Sequence, residues 1–199
     1  MLRKPRSVHN RNVDLLTINV VLTESETLLV AQLLSSSVAF QGMPDKIAKR
    51  IASLMTMRDF KAGEHLTVEG QANAGCLMIV ISGAAEIASS HMQDGGHLVH
   101  RLAQPGHVIG EVGFIDGQAH SASCEALEFT RMAVLSRDDF IKMFEADAGS
   151  AAQLMAGLLR LLAQRIRHAN SHMIAQDSQV LQLQMELLSL QQARPLRSS

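Results

Sequence analysis

The residues best suited to chemistry in this 199-residue chain fall in one stretch, Pro105-Gly106-His107-Val108-Ile109-Gly110-Glu111-Val112-Gly113-Phe114-Ile115-Asp116-Gly117-Gln118-Ala119-His120-Ser121-Ala122. Glycine lacks a Cβ, so Gly110 and Gly113 let the backbone come close to a bound group. N–H groups of a short helix beginning there can point at phosphate oxygens. Glu111, acceptor-only when ionised, suits a sugar hydroxyl and repels negative charge. His120 and Ser121 add side-chain donors further along. Together these groups fit recognition of a small anion. No Ser-His-Asp ordering, P-loop or GxSxG elbow occurs, so the chain reads as a non-enzyme.

The other reactive residue types carry weaker signals. Cys76 and Cys124 have no CxxC or metal-ligand spacing and read as reduced, mostly buried thiols. Nine histidines raise the question of metal or haem. His91, His97, His100 and His107 lack the pairing with a third ligand that such a site needs, and no cysteine cluster could hold iron–sulfur. They read as surface residues, with no metal and no resident cofactor. A formal net charge of −1 gives no basic face for non-specific nucleic-acid binding, which depends on displacing counterions.

These candidate residues need a scaffold. Residues 1–22 carry four basic side chains and then an apolar run broken by Asn19, with no small-residue cleavage site after it. They read as a flexible or edge-docked tail on a cytoplasmic protein, and no apolar run is long enough to span a bilayer. Two helices follow within 23–56. Thr23 and Glu26 form a capping box ahead of an apolar face at Leu29, Leu33 and Leu34. Pro44 opens the second helix, which buries Ile47, Ile51, Leu54 and Met55.

From Phe60 the pattern changes to short apolar runs between glycines. Residues 77–81 read as a strand covered on both faces, and 85–88 and 98–102 as a hairpin around Asp94-Gly95-Gly96. Residues 121–126 and 131–135 read as the last two strands. The expectation is a small roll or jelly-roll barrel over 60–135, followed by a short helix over 136–146 capped by Ser136 and Asp139. The whole is an α+β domain spanning 23–149.

A helix over 150–194, stopped by Pro195, completes the chain. Leu159, Leu162, Ile166, Ala169, Met173, Gln176, Val180, Leu183, Leu187 and Leu190 recur at steps of three and four, the seam of a coiled coil. Ile166 and Val180 at a, with leucines at d, favour a parallel pair of helices. The first turns, 154–162, have their own domain to pack against, and beyond Met173 no chain remains to cover the stripe. The helix could reach roughly 60 Å, and the expectation is a homodimer through 150–194.

With Phe60-Lys61-Ala62-Gly63-Glu64 and Glu69-Gly70 upstream, the glycine-rich segment resembles the cyclic-nucleotide-binding domain of the catabolite-activator (Crp/Fnr-like) family, over residues from about 43 to the middle of the last helix. The resemblance implies a β-roll with a phosphate-binding cassette, flanked by helices and closed by a dimerisation helix. Gly110, Glu111 and Ser121 stand where the family's ligand contacts stand. The candidate ligand site is Gly110, Glu111, Val112, Gly113, His120, Ser121 and Ala122. At His120 the family normally has an arginine, whose planar fork pairs with the phosphate. Histidine offers one donor, and its charge fades near pH 6.5. Where adenine-binding relatives place Thr-Ser across the dimer, this chain has Ala169-Asn170, and Asn170 has an amide able to pair with a purine edge.

Bacterial relatives place a DNA-reading domain after the dimer helix. Here Arg194-Pro195-Leu196-Arg197-Ser198-Ser199 leaves no room for one, so no nucleic-acid partner is expected. The resulting expectation is a regulatory module that senses cAMP or cGMP and signals through its last helix to an unidentified protein partner. Two other readings stay open at this point: a degenerate, non-binding dimeric scaffold, and a haem-based gas or redox sensor.

Overall fold

The computed structural model describes residues 20–72, 75–91 and 96–192. Chain order is β1 (Val20–Val21), α1 (Glu24–Ser36), a 3-10 turn (Val38–Phe40), α2 (Asp45–Ala52), β2 (Thr56–Phe60), β3 (His65–Thr67), β4 (Cys76–Ser82), β5 (Ala85–His91), β6 (Gly96–Ala103), β7 (Val108–Ile109), α3 (Glu111–Asp116), β8 (Ser123–Ala126), β9 (Thr130–Ser136), α4 (Arg137–Ala146) and α5 (Ala148–Gln192). Two antiparallel sheets, ordered β1-β2-β9-β4-β7 and β3-β8-β5-β6, make the roll. This is the expected α+β architecture with helices at one end and a long final helix.

The continuous apolar run in β4 is explained by two cores meeting at one sheet. Strand side chains alternate between faces. Met78 and Val80 point into the roll, where they join Phe60, Leu66, Ala85, Cys124, Met132 and Val134. Leu77, Ile79 and Ile81 point the other way, onto a helical layer that includes Val30, Leu34, Phe40, Ile51, Leu154 and Leu158. β9 divides in the same manner, with Ala133 and Leu135 on the helical side. A strand buried on both faces shows no polar alternation. Phe40 is fully buried, worth about 1.5–3 kcal/mol by area. It packs so tightly that a Cβ at Gly157 of α5 would stand 2.0 Å from its ring.

The caps match their sequence signals. Thr23 N–H donates to Glu26 Oε2 at 2.8 Å, and Glu26 N–H donates to Thr23 Oγ at 3.3 Å. At α4, Asp139 N–H donates to Ser136 Oγ at 3.1 Å, while the Ser136 hydroxyl donates to the Asp139 carboxylate at 2.6 Å. Pro44 caps α2.

The end of the tail docks on a sheet edge, one of the two expected arrangements, where Val20 and Val21 pair with Met57 and Thr56. Residues 1–19 of that tail lie outside the described residues, as do Asp94, Gly95 and Pro195. Several boundaries differ from the sequence expectation. The helical region ends at Ala52, and Thr56–Phe60 is already a strand paired with β9. The final helix begins at Ala148 instead of 150. On α1 the buried residues are Val30, Ala31 and Leu34, and Leu29 is 41% exposed. Six of seven residues from Leu28 to Leu34 are apolar, so periodicity alone does not choose the buried face; the sheet chooses it.

α5 changes character along its length. At 1.5 Å per residue its 45 residues span about 68 Å. Leu154 and Leu158 are fully buried, whereas Ile166, Met173, Val180, Leu183 and Leu187 are each more than half exposed. Among the described residues, no helix is long and apolar enough to cross a membrane.

Candidate functional site

A cavity of about 310 Å³ lies between the four-stranded sheet, the segment around α3 and the flank of α5. That is the lower end of the range for small-molecule sites. Its lining includes Gly110, Glu111, Val112, Gly113, His120, Ser121 and Ala122, so the fold brings together seven of the eight sequence candidates. The eighth, Asn170, is exposed on α5 and off this wall, although its neighbour Ala169 lines it. The α5 flank is completed by Leu162, Arg165 and Ile166.

Local backbone chemistry explains the glycine at the mouth of α3. Gly110 has φ +82°, and a Cβ there would lie 2.6 Å from the Cys76 carbonyl oxygen. The position therefore excludes every side chain on two counts, left-handed backbone and close approach. Glu111 follows as the first residue of α3 and is 3% exposed. The segment bearing His120, Ser121 and Ala122 is held by its backbone. His120 N–H donates to Gln71 C=O at 3.0 Å, and Gly70 N–H donates to His120 C=O at 2.9 Å. Thr67 Oγ donates to the Ala122 carbonyl at 3.0 Å.

A buried carboxylate needs a partner, and Glu111 finds it on a distant element. Arg165 of α5 donates to Glu111 Oε1 and, at 2.9 Å, to the Val108 carbonyl. Burial, and then the nearby Arg101 charge, bring the Arg165 guanidinium down to about 10, so it stays charged at neutral pH. His120 behaves differently: burial lowers its pKa below the usual histidine value. Burial thus works against a charged imidazole at this position.

Arg101 and Arg165 both escape the sequence reading. Arg165 gave no signal, because one arginine among polar helix positions marks nothing. Arg101 did give one. It shares strand parity with Ala103, which is 1% exposed and part of the roll interior. An arginine on an inward-facing register needs water, a partner or a cavity.

Cys76, Cys124 and His107 are structural. Burial pushes the Cys124 thiol up to about 12, and also raises Cys76, so both stay protonated and unreactive. His107 Nδ1 accepts from Gln104 N–H at 3.0 Å, closing the turn before β7. Among the described residues no group of three or more His, Cys, Asp or Glu could hold a metal ion. The side chains of His91, His97 and His100 lie outside what is described.

Comparison with known proteins agrees with this geometry. Residues 57–147 match the family model for the cyclic nucleotide-binding domain. The cyclic AMP receptor protein of Thermus thermophilus is 27% identical over 161 residues, covering 81% of this chain. The chain spans 66% of that relative's length. A crystal structure of the Thermus thermophilus catabolite activator protein superposes with a TM-score of 0.57 at 27% identity, over 77% of this chain and 63% of that one. A cyclic nucleotide-binding domain from Methylobacillus flagellatus KT shares the fold with a TM-score of 0.69 at 21% identity, over 80% of this chain and 88% of the other. Arg165 lies beyond residues 57–147, on α5. Fold, cavity and sequence together make residues 57–147 a member of the cyclic nucleotide-binding domain family.

Proposed function

We propose that this chain is a dimeric regulatory module that takes cAMP or cGMP into the cavity and passes its occupancy to a partner protein through α5. The observation that carries this reading is the ion pair joining Glu111 of the roll to Arg165 of α5. Glu111 is the acceptor best suited to a ribose hydroxyl. A ligand hydroxyl that shares this carboxylate with Arg165 bears directly on α5, the helix that carries the exposed heptad residues Leu159, Ile166, Met173, Val180, Leu183 and Leu187. Ligand chemistry and helix position are thereby coupled through one contact, which is how a local event biases a two-state element. Homodimerisation covers the stripe of Ile166, Met173, Val180, Leu183 and Leu187, which a lone chain leaves in water.

Calorimetric titration with cAMP and cGMP at pH 6 and pH 8, alongside sedimentation equilibrium, tests the proposal. The expected result is a dimer that binds one nucleotide per chain. Affinity unchanged between the two pH values assigns the phosphate to the arginines; affinity lost at pH 8 assigns it to protonated His120. No heat at millimolar nucleotide, in the natural chain and in His120→Arg alike, refutes the sensor and leaves the dimeric scaffold.

A further inference from the structure

The four-stranded sheet places one residue per strand in a row across the cavity floor. Thr67 of β3 is opposite Cys124 of β8, Cys124 opposite Ile87 of β5, and Ile87 opposite Arg101 of β6. Directly opposed residues in antiparallel strands share a face, and all four line the cavity. Three of the four cannot answer a negative charge: the Thr67 hydroxyl is spent on the Ala122 carbonyl, Cys124 stays a neutral thiol, and Ile87 is apolar. Arg101 ends the row on the sheet's edge strand, exposed and, among the described residues, without a carboxylate partner.

The charges on the wall are then two guanidiniums, Arg101 and Arg165, against one carboxylate, Glu111. Arg165 is committed to Glu111 and the Val108 carbonyl. With that pair kept, one positive charge is left over on the wall, and it is on Arg101. A cyclic phosphate carries one negative charge, and a charged donor pairs with it most strongly, while burial disfavours the charged form of the imidazole at 120.

We infer that Arg101 supplies the phosphate's cationic partner in this cavity, from the sheet floor, in place of an arginine at position 120. The inference rests on the cyclic-nucleotide reading above. Its five donors in a planar fork suit two phosphate oxygens at once, and the exposed side chain is free to turn onto a ligand. Because a phosphate is common to both nucleotides, Arg101 acts on cAMP and cGMP alike.

The test is calorimetric titration of the full chain with each nucleotide, in the natural protein, Arg101→Gln, His120→Arg and the double variant. Arg101→Gln is expected to weaken both nucleotides about ten- to a hundredfold, the effect of losing one charged hydrogen bond. Adding His120→Arg should recover most of that loss, and melting temperature should stay unchanged because Arg101 is exposed. Affinities within twofold of the natural chain in Arg101→Gln overturn the inference and leave the cavity's function standing. Weakening of cGMP alone overturns it too, since Arg101 then reads the guanine base. Binding only after His120→Arg shows that Arg101 does not supply the charge. No binding by any of the four proteins refutes the inference and the underlying reading together.

Discussion

Removing Arg165 should expose how much of the fold depends on the Glu111 pair. In Arg165→Met the stem is replaced by an apolar chain of similar length, and Glu111, 3% exposed, is left buried without its partner. Breaking a buried pair from one side costs about 3–5 kcal/mol. Arg165 is itself a quarter exposed, which admits water, so about 3 kcal/mol is expected. Glu111→Gln is gentler. It leaves Arg165 bonded to the Val108 carbonyl at 2.9 Å and close to solvent, and about 1–2 kcal/mol is expected. The double variant removes both charges and should be less damaged than the sum by about 1–3 kcal/mol. Urea denaturation followed by circular dichroism measures all four proteins, at one protein concentration because dimerisation shifts apparent stability. A loss below about 1 kcal/mol in Arg165→Met, or additive single losses, refutes the pair as a coupled buried contact.

Gly110→Ala adds a Cβ 2.6 Å from the Cys76 carbonyl at a φ of +82°; a loss of at least about 2 kcal/mol is expected by denaturation, with nucleotide binding lost as well. Burial lowers the His120 pKa, so the unfolded chain takes up that proton first as pH falls. The associated stability is complete above about pH 6.5 and declines below it, and His120→Asn should flatten this part of the melting temperature profile between pH 7.5 and 5. An unchanged slope would show that the imidazole is not desolvated. Val180→Asp with Leu187→Asp puts charges on a stripe whose members are 52% and 57% exposed in the lone chain; sedimentation should then report a monomer whose roll still melts cooperatively. Thr23→Ala removes the hydroxyl that accepts from Glu26 N–H and should cost about 1 kcal/mol.

Much of this molecule is written locally. Capping hydrogen bonds act over three residues, so Thr23 with Glu26 and Ser136 with Asp139 announce helix starts without any tertiary knowledge. The α5 heptads are legible for the same reason, since a helix sets its own periodicity. Gly110 and Glu111 could be singled out because the backbone geometry of a tight strand-to-helix turn is a local demand. Short edge strands are different. β1, β3 and β7 hold two or three residues each, too few to display alternation, and they exist only because a partner strand offers hydrogen bonds.

The sequence by itself determined the caps, the tight-turn glycine at 110 and the length of the final helix, because each follows from contacts within a few residues or from a repeating period. Only the tertiary structure decided which face of α1 is buried, that His120 is partly desolvated, and that two arginines share the cavity. Those outcomes depend on long-range placement. Arg165 meets Glu111 across 54 positions of sequence, and Arg101 reaches the floor through strand register. Charge and desolvation act through space, and spacing along the chain carries no record of them.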